Sequence, residues 1–280
     1  MMLFFQQWYG ELMKLFARRR TYIGFGAFLA LQILVFLLVK KFGLPTRRVI
    51  AAAGESADYY LSALTVASFV VVVSVFLLGA LFLSLVAGDI VAKEAEDGHL
   101  RLLLARPVSR FRLLLLKYLT CCCYAVVLIL FLVVSAFVLG LALHGWGGGY
   151  FVLVPEVSVV AFHDWSTGLE RYFVSAVFLG LSMTAIGSIA FFLSCFRIKP
   201  AAATIGALTY VLVDFIIRTS GFMESYQHLL ITKHMAVWGR LLAETIDWPL
   251  IVRGYTVIFA VNISLFTLGY AVFESRDLKS

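Results

Sequence analysis

Apolar residues fall into six long runs separated by shorter polar connections, near residues 21–40, 59–88, 112–143, 172–196, 200–218 and 254–273. A helix needs about 20 apolar residues to cross a hydrocarbon core about 30 Å thick, so each run can span a membrane. The second and third runs hold about thirty residues each, or about 45 Å of helix. They must tilt or project beyond the lipid. No Pro/Gly/Ser-rich linker or low-complexity tract interrupts the pattern. Residues 1–280 are therefore expected to form a single all-α, polytopic membrane domain.

Between the second and third runs lies Gly88–Arg110, GDIVAKEAEDGHLRLLLARPVSR. Its Asp89, Lys93, Glu94, Glu96, Asp97, Arg101, Arg106 and Arg110 cannot lie in lipid without a cost of several kcal/mol each. Leu100, Leu103 and Leu104 recur at i, i+3, i+4, which gives a short helix one apolar stripe and one charged face, suited to docking. Gly98 can cap one helix, Pro107 prevents uninterrupted continuation of another, and Ser109 can cap the third span. The element at 89–111 thus reads as a rigid, broken helix. Residues 1–20 read as an amphipathic interfacial helix. Phe4, Phe5, Trp8, Leu12, Leu15 and Phe16 form its apolar face, opposite Gln7, Glu11, Lys14 and Arg18.

Composition agrees with the pattern: 62% of the residues are hydrophobic, 14% are charged, and the mean hydropathy is +0.97. Soluble domains carry about a quarter charged residues. With the N-terminus inside, the short cytoplasmic pieces hold fourteen of the 23 Lys and Arg, and the positive-inside rule then places both termini in the cytoplasm. Lys40, Lys41, Arg47 and Arg48 weigh against this orientation. The net charge of +7 follows from such a topology and needs no nucleic acid. Cys121, Cys122, Cys123 and Cys195 lie in the inner halves of spans and read as small apolar filler.

On the other side, residues 41–58 read as a polar connection. Residues 144–171 hold a GWGGG turn, an apolar patch at Val157–Phe162 and the cluster His163-Asp164-Trp165. Residues 219–253 hold Tyr226, Trp238, Trp248 and Pro249. Both longer connections are expected to lie along the outer interface.

Gly88–Lys117 resembles the signature of the type 2 permeases of ATP-binding-cassette transporters. The match is to the six-span branch serving nitrous-oxide-reductase copper maturation, sodium or peptide export, and gliding. The matching residues are Asp89, Ala92-Lys93-Glu94, Gly98-His99-Leu100, Leu103-Leu104, Pro107-Val108-Ser109-Arg110 and Lys117, with His99 where that family usually has Thr. Phe273-Glu274-Ser275-Arg276-Asp277 is similar to the family's carboxyl-terminal ending. The resemblance implies a cytoplasmic coupling helix between spans 2 and 3 that inserts into an ATPase subunit. The implied contacts are Asp89, Ala92, Glu94, Gly98, His99, Leu100, Leu103, Leu104, Pro107 and Arg110. It also implies a second permease copy, as homodimer or related heterodimer, in a bacterial or archaeal inner membrane.

No G-x-x-x-x-G-K-[ST] is present, and Gly147-Gly148-Gly149 lacks the Lys of a phosphate loop, so ATP and Mg²⁺ belong on the separate ATPase chain. No catalytic constellation, cofactor motif or metal-ligand spacing stands out; His144, His163, His228 and His234 match no ligand pattern. Glu94 is the first choice for contact with the ATPase, on an exposed face. Arg110 and Lys117 are expected to pin the third span at the headgroups by snorkelling. Asp214 and Arg218, at i, i+4 in the fifth span, are expected to form an intramembrane ion pair. Gln32 is expected to bond a neighbouring helix.

The function expected is a permease coupling ATP hydrolysis on its partner to export. The alternatives are a mechanical transmitter acting on a periplasmic partner and, less favoured, an ion-coupled carrier. For the carrier, the chain shows neither an inverted repeat nor several midplane carboxylates.

Overall fold

The computed structural model describes residues 2–44, 46–98, 109–220 and 224–275. The elements in chain order are α1 (Met2–Phe16), α2 (Arg19–Phe42), α3 (Arg47–Ala52), α4 (Ala57–Tyr60), α5 (Ala63–Ser74) and α6 (Ala80–Glu96). They are followed by α7 (Arg110–His144), β1 (Tyr150–Val154), β2 (Val159–His163), α8 (Trp165–Ser194), α9 (Pro200–Thr219), α10 (Ile231–Met235) and α11 (Trp248–Glu274). A π turn at Val75–Gly79 joins α5 to α6 without ending the span.

Among the described residues, six helices are long and apolar enough to cross a membrane: Thr21–Phe42, Ala63–Glu96, Arg110–His144, Trp165–Ser194, Pro200–Thr219 and Trp248–Glu274. The second and third, at 34 and 35 residues, correspond to about 51 Å of helix at 1.5 Å per residue. The second span starts four residues later than its apolar run suggests and reaches eight residues further into the charged segment. The fourth starts at Trp165, seven residues early.

Capping explains several of these limits. Ser109 Oγ accepts from Arg112 N–H at 3.3 Å and opens α7. Pro200 occupies the first turn of α9, where a missing N–H costs nothing. Asp247 Oδ1 accepts from Leu250 N–H at 3.2 Å at the start of α11. Beyond α6, Gly98 has φ +74°, a left-handed conformation that glycine adopts without a Cβ penalty.

The most enclosed helix is α8, which packs against α6, α7, α9 and α11. Lipid tails give no hydrophobic drive for helices to associate, so close packing and polar contacts must hold them together. A Cβ on Gly88 of α6 would come within 2.8 Å of Thr204 Oγ1 and 3.1 Å of Thr204 N, so glycine lets α6 and α9 approach closely. Gln32, fully buried in α2, donates to Leu132 O and accepts from Ser135 Oγ, both at 2.8 Å on α7. Tyr255 OH donates to Phe178 O at 2.7 Å, and Asn262 Nδ2 donates to Thr184 Oγ1 at 2.9 Å, joining α11 to α8.

One end of the bundle holds α1, the end of α6, the start of α7 and the end of α11; it is the charged end. The opposite, hairpin end differs from the sequence reading, because residues 150–163 form an antiparallel hairpin. Its register runs from Tyr150↔His163 to Val154↔Val159, and Ser158 takes a left-handed conformation in the turn. Tyr150, Val152, Val154, Val159, Ala161 and His163 form its buried face. Ser68 Oγ and Tyr150 OH lie 2.7 Å apart, and Phe151 N donates to Thr65 Oγ1 at 2.9 Å, fixing the hairpin to α5.

Candidate functional site

The ionisable groups gather at the charged end, where α1 meets α6 and α7. The helical period of α1 brings Phe4, Trp8, Glu11 and Leu15 to the bundle side at i+3 and i+4 spacings, and Arg18 follows in the extended corner before α2. Phe4 stacks under the Arg112 guanidinium at 5.8 Å, and the Phe16 ring lies 6.3 Å from that of Tyr124. Between these anchors the polar residues of α1 face two charges that lie inside the bundle: Glu94 of α6, 2% exposed, and Lys117 of α7, 1% exposed.

Lys117 Nζ lies 2.7 Å from Glu94 Oε2 and donates to Glu11 Oε2 at 2.9 Å. The Oε2 contact falls outside hydrogen-bond geometry, so Coulomb attraction carries it. Lys14 Nζ donates to Glu94 Oε1 and lies 3.8 Å from Glu11 Oε1; Arg18 Nη2 reaches Glu94 Oε1 at 3.5 Å. Three cations thus share two carboxylates drawn from three helices. Burying either Glu94 or Lys117 alone would cost several kcal/mol; together, with α1 as a third contributor, they become tolerable. A cleft of about 10 Å³, the size of about one water, opens among Glu11, Lys14, Leu15, Arg18, Ile90 and Thr120. Chemically the arrangement is a brace: α1, α6 and α7 cannot separate without stranding charge.

The structure corrects several expectations. Glu94 is buried, not exposed, because the cations of α1 and α7 draw its carboxylate inward. Asp89 and Ala92 are buried with it. Lys117 does not snorkel to the headgroups; it reaches Glu11 and Glu94 instead. Arg110 Nη1 donates to Glu274 O at 2.8 Å, joining the start of α7 to the end of α11. Gly98 is half-buried, while Glu96 and Asp97 are the exposed acidic groups at the end of α6. His99, Leu100, Leu103, Leu104 and Pro107 lie outside the described residues.

The expected Asp214–Arg218 pair is also corrected. Asp214 accepts from the N–H groups of Ile231 and Thr232 at 3.2 and 2.9 Å, capping α10. Arg218 turns to Glu156 in the hairpin turn at 3.1 Å and donates to Thr232 O at 2.6 Å. Each charge found a partner in a connection that folds back over the span. His163 Nε2 lies 2.8 Å from Leu242 O, and among the described residues no three His, Cys, Asp or Glu side chains converge on a metal-sized site.

Sequence reasoning missed the brace itself, although one signal was present. Lys117 follows Leu113–Leu116 and precedes further apolar residues, and a cation flanked on both sides by lipid-compatible residues implies a buried partner.

Six apolar helices, little sheet and a core of helix–helix contacts define an all-α, multi-pass membrane protein. Residues 61–278 match the family described as Protein of unknown function (DUF2705), and the chain belongs to that family. It is also similar to the Uncharacterized protein YhcI of Bacillus subtilis (strain 168), with 26% identity over 211 residues. That match covers 72% of this chain and 65% of YhcI, so the chain accounts for just under two thirds of the relative's length. Glu94 and Lys117 fall within the family match, whereas the contributors from α1 precede it.

Proposed function

We propose that this protein is the permease subunit of an ATP-binding-cassette transporter, coupling ATP hydrolysis on a partner chain to export. The observation that carries the reading is the pair of overlong helices, α5–α6 and α7. Their ends emerge together at the charged end and are locked there to α1 by buried ions. A displacement applied to the 97–109 connection then moves both helices as one body instead of being absorbed locally.

In this reading the charged end faces the cytoplasm of a bacterial or archaeal cell, with both termini there. ATP and Mg²⁺ sit on the ATPase subunit, and a second permease copy completes the pathway. Glu94 serves as the internal brace. The carboxylates offered to the ATPase are Glu96 and Asp97, exposed at the end of α6, followed by the segment that resembles a coupling helix.

A second reading, a transmitter acting on an external partner, draws on the ordered hairpin, whose outward side chains Leu153 and Val160 are exposed. The test is reconstitution of the purified complex in vesicles. Nucleotide-dependent solute movement supports the permease. ATP-dependent change in the affinity of an external partner without solute movement supports the transmitter. Absence of both in a complex that hydrolyses ATP rejects the pair.

A further inference from the structure

We propose that the Lys14–Arg18 rim of the ion cluster binds the phosphate of an anionic phospholipid, fixing α1 to headgroups as well as to the bundle. Among the described residues Lys14, Arg18 and Lys117 pair with Glu11 and Glu94, and these five groups carry a formal charge of +1. Lys117 is buried against both carboxylates, which leaves the surplus charge on the accessible rim, where Lys14 is 39% and Arg18 32% exposed. Among the described residues the Arg18 guanidinium makes a single polar contact, at 3.5 Å, so most of its five N–H donors have no acceptor there.

Lys14 stands in the last turn of α1 and Arg18 in the extended corner just beyond it, and both line the small cleft. A phosphodiester at its mouth would take two parallel bonds from the guanidinium and a point-charge contact from the ammonium. Position favours a lipid over a soluble anion. Arg18 is the corner between α1 and the first span, which is headgroup depth for a helix entering a bilayer. Tyr22 and Ile23, 62% and 63% exposed, carry an apolar surface from that corner towards the acyl chains. Only a lipid could use both the charge and that surface.

The test uses full-length protein in nanodiscs of phosphatidylglycerol and phosphatidylcholine in equal parts, with retained lipid counted by native mass spectrometry. Wild type is expected to retain phosphatidylglycerol preferentially. Arg18→Gln should lower that preference about fivefold, the effect of one charge near an anionic surface. Lys14→Gln should act in the same direction, and Arg18→Lys should keep most of the preference. Arg48→Gln removes an equal charge at the hairpin end and should change nothing. Equal retention of the two lipids by wild type, or an undiminished preference in both Gln variants, overturns the proposal. So does displacement of the retained phosphatidylglycerol by sodium phosphate, which would assign the site to a soluble anion.

Discussion

Replacing Glu94 by Gln leaves three cations with one carboxylate, and the formal charge of the cluster rises from +1 to +2. Lys117 keeps Glu11 at 2.9 Å but loses the carboxylate charge at 2.7 Å, and at 1% exposure its ammonium cannot recover the loss from water. The amide keeps one neutral oxygen, which cannot serve both Lys117 and the Lys14–Arg18 side, so one side faces an NH2 group in place of an acceptor. Removing one member of a buried pair costs about 3–5 kcal/mol. At about 2–4 °C per kcal/mol for chains of about 150–250 residues, the unfolding midpoint should fall by about 6–20 °C.

The assay is thermal unfolding in detergent read with a thiol-reactive fluorophore, because Cys121 is buried one turn from Lys117 and becomes reactive as α7 opens. The double variant Glu94→Gln/Lys117→Met should recover part of the loss, since the stranded cation leaves with its partner. A midpoint for Glu94→Gln within about 2 °C of wild type, where that slope makes the cost at most about 1 kcal/mol, would refute the brace.

Other positions give contrasting expectations. Gln32→Leu removes two interhelical bonds, but such bonds average about 0.6 kcal/mol in membranes, so the midpoint should shift far less than for Glu94→Gln in the same assay. Gly88→Ala places a methyl 2.8 Å from Thr204 Oγ1 and 3.1 Å from its backbone nitrogen, and should cost about 1–3 kcal/mol by forcing α6 from α9. Asp214→Asn weakens the cap of α10 by about 1 kcal/mol, visible as faster hydrogen exchange at Ile231 and Thr232. Reversing Glu96 and Asp97 to Lys should leave the midpoint unchanged and lower nucleotide-coupled activity of the reconstituted complex; unaltered coupling would count against their proposed contact.

The spans were legible because lipid imposes one requirement, about 20 apolar helical residues, that composition alone can meet or fail. Their ends were less so. Charges mark Glu94 and Glu96 as unfit for lipid, yet α6 continues through both: partners on α1 and α7 take up the charge of Glu94, and Glu96 is exposed at the helix end. The hairpin stayed hidden because both of its faces are apolar: Phe151 and Leu153 alternate with Tyr150 and Val152, and no polar period of two betrays a strand. The Asp214–Arg218 expectation used the only spacing visible along one helix. Their actual partners, Thr232 and Glu156, lie 18 and 62 residues away in sequence, a proximity that only the fold creates. For Glu94 the misreading was one of direction: its charge was recognised, but a single helix pattern could not reveal that three cations wait on its inner side.

The most direct test of the proposed docking places a photo-crosslinking residue at Asp97 in the native membrane and, separately, at Leu153 on the hairpin. The account predicts that the Asp97 probe captures a nucleotide-hydrolysing chain and the Leu153 probe does not. Capture of such a chain from Leu153 alone, or from neither position while the protein remains folded and in the membrane, would contradict it.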